Sequence, residues 1–205
     1  MFGAAMIIGL ALAGAFLLGL LWAVASYNGF VEARAECTEA FAQMLLRLQQ
    51  RNALLPALVE TARAYMRHER EILEKVSAAV QEASVIGETL GARPVSATGI
   101  HELQQTESRV SAAMGRLLAI SEAYPELRAS PNMVRISADL RSAEDQVSGA
   151  RDAYNQKVHR DKGLRATLPQ ALLSKALGFG DAPFFEADRE PESPPRPPRV
   201  GPMHA

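Results

Sequence analysis

The sequence predicts an all-α protein: an N-terminal transmembrane helix, an up-and-down antiparallel four-helix bundle and a proline-rich C-terminal tail. Three observations predict it. No charged residue interrupts the apolar run from Gly3 to Ser26. From Val31 to Val158 apolar residues recur in steps of three and four, with no useful stretch of period-two alternation. Seven of the 12 prolines fall beyond Asp181.

The first element, residues 1–27, is read as a membrane anchor. As a helix, Gly3 to Ser26 extends about 36 Å at roughly 1.5 Å per residue, enough for a hydrocarbon core of about 30 Å. Its expected contact is membrane lipid through residues 3–26. Trp22 and Tyr27 mark the interfacial belt, and Gly9, Ala13 and Gly19 are small enough for close helix approach. Ala23-Val24-Ala25 resembles a signal-peptide cleavage box. No Lys or Arg precedes the run, however, and the run is long for a secretory signal, so the reading is an uncleaved anchor. Arg34, Arg47 and Arg51 follow the span, interleaved with Glu32 and Glu36, and lean the orientation toward a cytoplasmic C-terminal domain.

The bundle is expected over residues 28–163. Its first helix carries Val31, Ala35, Thr38, Phe41, Leu45 and Leu48 on one face. A second starts near Leu54-Leu55-Pro56, since proline is tolerated in a first turn. Its stripe runs through Leu58, Ala62, Tyr65, Ile72, Val76, Val80 and Ala83 to a stop near Gly87 and Gly91-Ala-Arg-Pro94. Arg67/Glu71, Arg70/Glu74 and Glu71/Lys75 have i,i+4 spacing and are read as surface pairs. The third helix, about Ile100 to Ala123, repeats Leu103, Val110, Met114 and Leu117, and ends at Tyr124-Pro125. The fourth, about Asn132 to Lys157, repeats Met133, Ile136, Leu140, Val147, Tyr154 and Val158, with Asn132 or Ser130 as cap. Short loops and amphipathic faces favour antiparallel neighbours. Residues 164–186 add a short helix, Gln170 to Leu177, and Phe184-Phe185, too apolar to be left free and expected to dock on the bundle. Residues 187–205, with Pro194-Pro195-Arg196-Pro197-Pro198, are read as a disordered tail.

Composition excludes several function classes. A chain of 205 residues, 48% hydrophobic and 22% charged, is not wholly disordered. A net charge of −1 supplies no basic field, so no nucleic-acid partner is expected. Cys37, the single cysteine, cannot form an internal disulfide.

Catalytic spacing is missing as well. His68, His101, His159 and His204 fall on different elements, and none of the first three has Glu three residues before it: Tyr65, Thr98 and Gln156 stand there. A di-metal bundle site needs that Glu-x-x-His spacing. His68-Glu69 are adjacent on a helix and point about 100° apart. Cys37 has no base near it in sequence. No glycine-rich phosphate loop or nucleophile elbow occurs. No catalytic residue, metal ligand or cofactor is therefore expected. Tyr27-Asn28 is read as an interfacial anchor with a local turn. Arg51, Glu60 and Glu144 border apolar stripes, where an Arg–carboxylate pair would fix register but solvated charges are the simpler reading.

Several segments together resemble the LemA family. They are Tyr27-Asn28 after an apolar anchor, Leu48-Gln-Gln-Arg-Asn-Ala-Leu-Leu-Pro-Ala-Leu-Val-Glu-Thr61, and Tyr65-Met-Arg-His-Glu69. Farther on come Ala123-Tyr-Pro-Glu-Leu127, Arg151 followed by Asp152-Ala-Tyr-Asn155, Leu177-Gly-Phe179, and Pro183-Phe-Phe-Glu186. The resemblance covers the chain to Glu186. It implies a single-pass bacterial inner-membrane protein with a helical bundle, no established enzymatic activity and no obligatory cofactor. One branch of that family belongs to magnetosome membranes. Three positions depart from the family pattern: Phe41 replaces a frequent Trp, Asp161-Lys162 a second Tyr-Asn, and Leu168 a frequent Phe. The second departure removes a motif expected to touch a partner. The expected function is a membrane-tethered scaffold or adaptor with a membrane-associated protein partner. The alternative is a homo-oligomer that organises the membrane or responds to envelope stress, self-assembled through Gly9, Ala13 and Gly19.

Overall fold

The computed structural model describes residues 2–92, 95–167, 170–176, 180 and 182–185. The expected tail at 187–205, with Pro194 to Pro198 and His204, lies outside the described residues, as do Arg93-Pro94, Leu168-Pro169, Leu177 to Phe179 and Glu186. Seven helices follow in order: α1 (Phe2–Asn52), α2 (Leu55–Tyr65), α3 (Arg70–Gly91), α4 (Ala97–Ser121), α5 (Pro125–Ala129), α6 (Pro131–Ala166) and α7 (Gln170–Ala176). Among the described residues there is no strand.

Helix α1 runs unbroken through Asn28-Gly29, so the local turn expected at Tyr27-Asn28 does not form. Glycine inside a helix costs only about 1 kcal/mol relative to alanine, too little to stop one whose flanks are both helical. The helix has two chemically distinct halves. Its most apolar window has a mean hydropathy of 2.0 and none of it is buried, whereas burial begins at Phe30, which is 2% exposed. By length and composition α1 is able to cross a membrane. In water, the exposed Met6, Ile7, Leu10, Leu12, Phe16, Leu17, Leu18, Leu20 and Leu21 forgo on the order of 10 kcal/mol or more of burial, a deficit lipid removes.

The second half of α1 packs along α6, and α3 packs along α4, with further packing between α1 and α3. Ion pairs give the directions. Glu36 meets Lys157 and Arg160, while Arg51 meets Glu144, so α1 and α6 are antiparallel. Two apolar clusters fill the space between. One gathers Leu58, Met66, Leu73, Val76, Val110, Leu117, Leu127, Met133 and Ile136. The other gathers Cys37, Phe41, Met44, Leu48, Leu103, Tyr154 and Val158.

Several sequence expectations shift. On α1 the buried face is Phe30, Ala33, Cys37, Phe41, Met44, Leu45 and Leu48, and Val31, Ala35 and Thr38 face outward. The expected second helix is two. The break at Met66 to Glu69 is closed by the Met66 N–H donating to the Ala62 carbonyl and the Glu69 N–H donating to the Met66 carbonyl. No Gly or Pro marks it, so periodicity alone runs straight through. The break buries Met66 fully and leaves Tyr65 exposed, the reverse of the expected stripe. It also takes Arg67 off the helix, and no Arg67–Glu71 pair forms among the described residues, whereas Arg70–Glu74 and Glu71–Lys75 do.

Helix α4 begins at Ala97, three residues ahead of expectation, because Ser96 caps it by accepting from the Gly99 N–H. At Gly99 a Cβ would come within 2.7 Å of Leu90 Cδ2, so a larger residue there requires the Leu90 side chain to shift. Beyond Tyr124-Pro125 the chain makes the short α5, and α6 starts at Pro131 capped by Ser130. It continues to Ala166, past the expected end at Lys157. The borders expected at 27/28 and 163/164 thus fall inside α1 and α6.

Candidate functional site

Three places concentrate polar groups or open surface. The first is a buried charge cluster where α1, α4 and α6 meet. Arg51 at the end of α1 is 2% exposed. Its guanidinium donates to Glu107 of α4, to Glu144 of α6 at 3.3 Å and to Asn52 Oδ1 at 2.7 and 3.1 Å. The planar fork of N–H groups suits a site with several acceptors. Burial pushes the Glu107 carboxyl above its ordinary range, and Arg51 and Asn52 only partly offset that. Glu60, the third charge singled out from sequence, lies on the surface beside Arg63. Glu107 is the partner that sequence reading missed. Its signal was the gap in the α4 stripe between Leu103 and Val110, where Glu107 occupies an inward position.

The second place holds the returning C-terminal segment. Tyr154 donates its hydroxyl to the Pro183 carbonyl at 2.7 Å. Asn155 clamps Phe185 twice: its side-chain amide donates to the Phe185 carbonyl and its side-chain oxygen accepts from the Phe185 N–H, both at 2.9 Å. Phe185 is buried, and Lys162 stands 4.1 Å over the Phe184 ring, within cation–π range. Phe184-Phe185 therefore dock on their own chain. Asp161 is buried against Arg165, whose guanidinium also donates to the Gly180 carbonyl at 2.8 Å. Asp161-Lys162, expected as the loss of a partner-binding motif, instead helps hold this segment. Phe41, the replacement for Trp, packs its ring 5.7 Å from that of Tyr154.

Burial raises the Tyr154 hydroxyl well above its usual range. It raises the Cys37 thiol too, with Asp161 adding to the effect, so Cys37 is held as a thiol and not as the nucleophilic thiolate. His68, His101 and His159 are exposed on separate elements. No cluster of metal-ligating side chains occurs among the described residues.

The third place is a groove of roughly 690 Å³ between α3 and α4. Ala78, Ala79, Ala112, Ala113 and Ala119 line it, together with Ile72 and Ile120. Lys75, Glu82, Arg109 and Arg116 supply charge, and Glu82 pairs with Arg109 across the two helices. Small side chains in register on two antiparallel helices leave this furrow, which sequence reading of each helix alone did not reveal.

Comparison with curated proteins finds no match. The LemA family model matches residues 40–200. That match starts within α1, past its apolar stretch, and so leaves Tyr27-Asn28 outside; it runs beyond Glu186, where the sequence resemblance stopped. It takes in the charge cluster, the clamp of Tyr154 and Asn155, and both walls of the groove. The chain belongs to the LemA family.

Proposed function

We propose that this LemA-family protein is a non-enzymatic, membrane-anchored scaffold, a single up-and-down four-helix bundle that presents a protein-docking surface beside the bacterial inner membrane. The observation that carries the reading is the open, alanine-lined groove between α3 and α4. Arg51, Glu107, Tyr154, Asn155, Asp161 and Arg165 all serve internal contacts, whereas the groove between α3 and α4 is open and has room for another molecule. Its occupant is an amphipathic helix of a membrane-associated protein. Neither nucleic acid nor a cofactor enters this account. Arg34, Arg47 and Arg51 after the span lean the bundle toward the cytoplasmic side by the positive-inside rule.

The test is crosslinked recovery from intact membranes with three chains: wild type, Ala113→Arg and an anchor-only chain of residues 1–27. Wild type recovers proteins that the other two miss, while Ala113→Arg keeps its helical circular dichroism. Identical recoveries from all three remove the scaffold reading.

A second reading, a self-assembling membrane organiser with an envelope-stress or magnetosome-type role, draws on Gly9, Ala13 and Gly19, with open space where a Cβ would stand at the two glycines. It predicts oligomers in mild detergent that vanish when Gly9, Ala13 and Gly19 are replaced by Leu. Monomers in native membranes contradict it.

A further inference from the structure

A second lipid contact follows from the register of α1 against α6. Glu36 meets Arg160 and Arg51 meets Glu144, so the antiparallel pairing brings the last turn of α6, Arg165 and Ala166, level with Phe30 of α1. Phe30 stands four residues past Ser26, about 6 Å along the helix axis. The headgroup layer beside the hydrocarbon core is about 5–7 Å deep. The end of α6 therefore comes down into that layer.

Helix α7, next in the chain, packs on both α1 and α6. The return begins at Gly180, held by Arg165, and climbs α6 through Pro183 on Tyr154 and Phe185 on Asn155. On α7 Leu172 is 67% exposed, while Ser174 on the same helix is buried. Tyr27 and Val31 of α1 are exposed at the same end, continuous with the apolar surface of the span. Leu46, Val85 and Val134, other exposed apolar side chains of the folded part, stand singly on different helices.

We propose that α7 lies in the headgroup layer with Leu172 inserted among the lipids, a second membrane contact that fixes the tilt of the bundle over the bilayer. It rests on the reading of α1 as a membrane span. Two attachments, one spanning and one in the interfacial plane, define an orientation that a single helix leaves free to rotate. The groove between α3 and α4 is thereby held in a set direction relative to the membrane.

The test uses the full chain in a Cys37→Ser background with one added cysteine at a time, Leu17→Cys, Leu172→Cys or Val134→Cys, each labelled with a small fluorophore. The chains are reconstituted into phosphatidylcholine vesicles with and without brominated acyl chains. All three positions are exposed on the protein, so labelling leaves the core intact. Brominated lipid quenches the label at 172, and iodide in the buffer quenches it about threefold less than the label at 134, as partial insertion demands. If 17 is quenched by brominated lipid while 172 behaves like 134, the second contact is refuted and the span stands. If 17 itself is open to iodide, the span is refuted and α7 loses its argument with it.

Discussion

Replacing Arg51 by Met tests whether the buried charge cluster is a structural lock. The side chain is 2% exposed and donates to both Glu107 and Glu144. Methionine keeps the apolar stem and removes the charge, which leaves Glu107 buried without its cation. Removing one partner of a buried pair costs about 3–5 kcal/mol, most of it from the charge left behind. Glu144, partly open to water, resolvates and adds little. The double variant Arg51→Met/Glu107→Leu removes the orphan as well and returns to within about 1 kcal/mol of wild type or exceeds it.

The pH dependence carries its own sign. The Glu107 pKa is raised in the folded state by burial, and loss of Arg51 raises it further. The folded state then binds the extra proton, so the cost in Arg51→Met shrinks as pH is lowered through the raised pKa. The assay is urea unfolding of the full chain in mild detergent, followed by far-UV circular dichroism, with an unchanged slope required. A loss below about 1 kcal/mol marks the pair as no better than a surface salt bridge and refutes the reasoning. A double variant as unstable as the single refutes it too.

Other outcomes follow from the same geometry. Asn155→Ala removes both hydrogen bonds to Phe185 and weakens docking of residues 182–185 by about 1–3 kcal/mol, read as faster chymotryptic cleavage at Phe184 or Phe185 with the helices unchanged. Unaltered cleavage would show that the Asn155 clamp adds nothing to the remaining contacts of the segment. At Glu36, burial raises the carboxyl pKa, but Lys157 and Arg160 outweigh it and bring the group below its ordinary range. Its contribution is therefore full above the ordinary carboxylate pKa and lost as pH falls through the lowered value. Wild type accordingly loses more stability than Glu36→Gln over that acid window, and equal losses would assign the effect elsewhere.

Much of the helical order was legible because apolar spacing, proline at first turns and serine caps act locally: Ser130, one of the two caps expected for the fourth helix, does cap α6. What was not legible depended on tertiary contact. The break after Tyr65 has no Gly or Pro to announce it, and burying Met66 against the bundle decides it. The outward turn of Val31 depends on where α6 and α7 cover α1. Glu107 and Asp161 occupy inward positions of their stripes, where a charge reads as an interruption until Arg51 and Arg165 are brought beside it. The groove is a property of two helices together, with alanines on each that look unremarkable alone.

The central claim is that α1 holds the helical body at a membrane as an uncleaved anchor. The most direct measurement is the intact mass of the protein recovered from cell fractions after an alkaline carbonate wash. The account predicts a chain that retains residues 3–26 and stays in the washed membrane pellet. A soluble chain beginning just after Ala25 would contradict it.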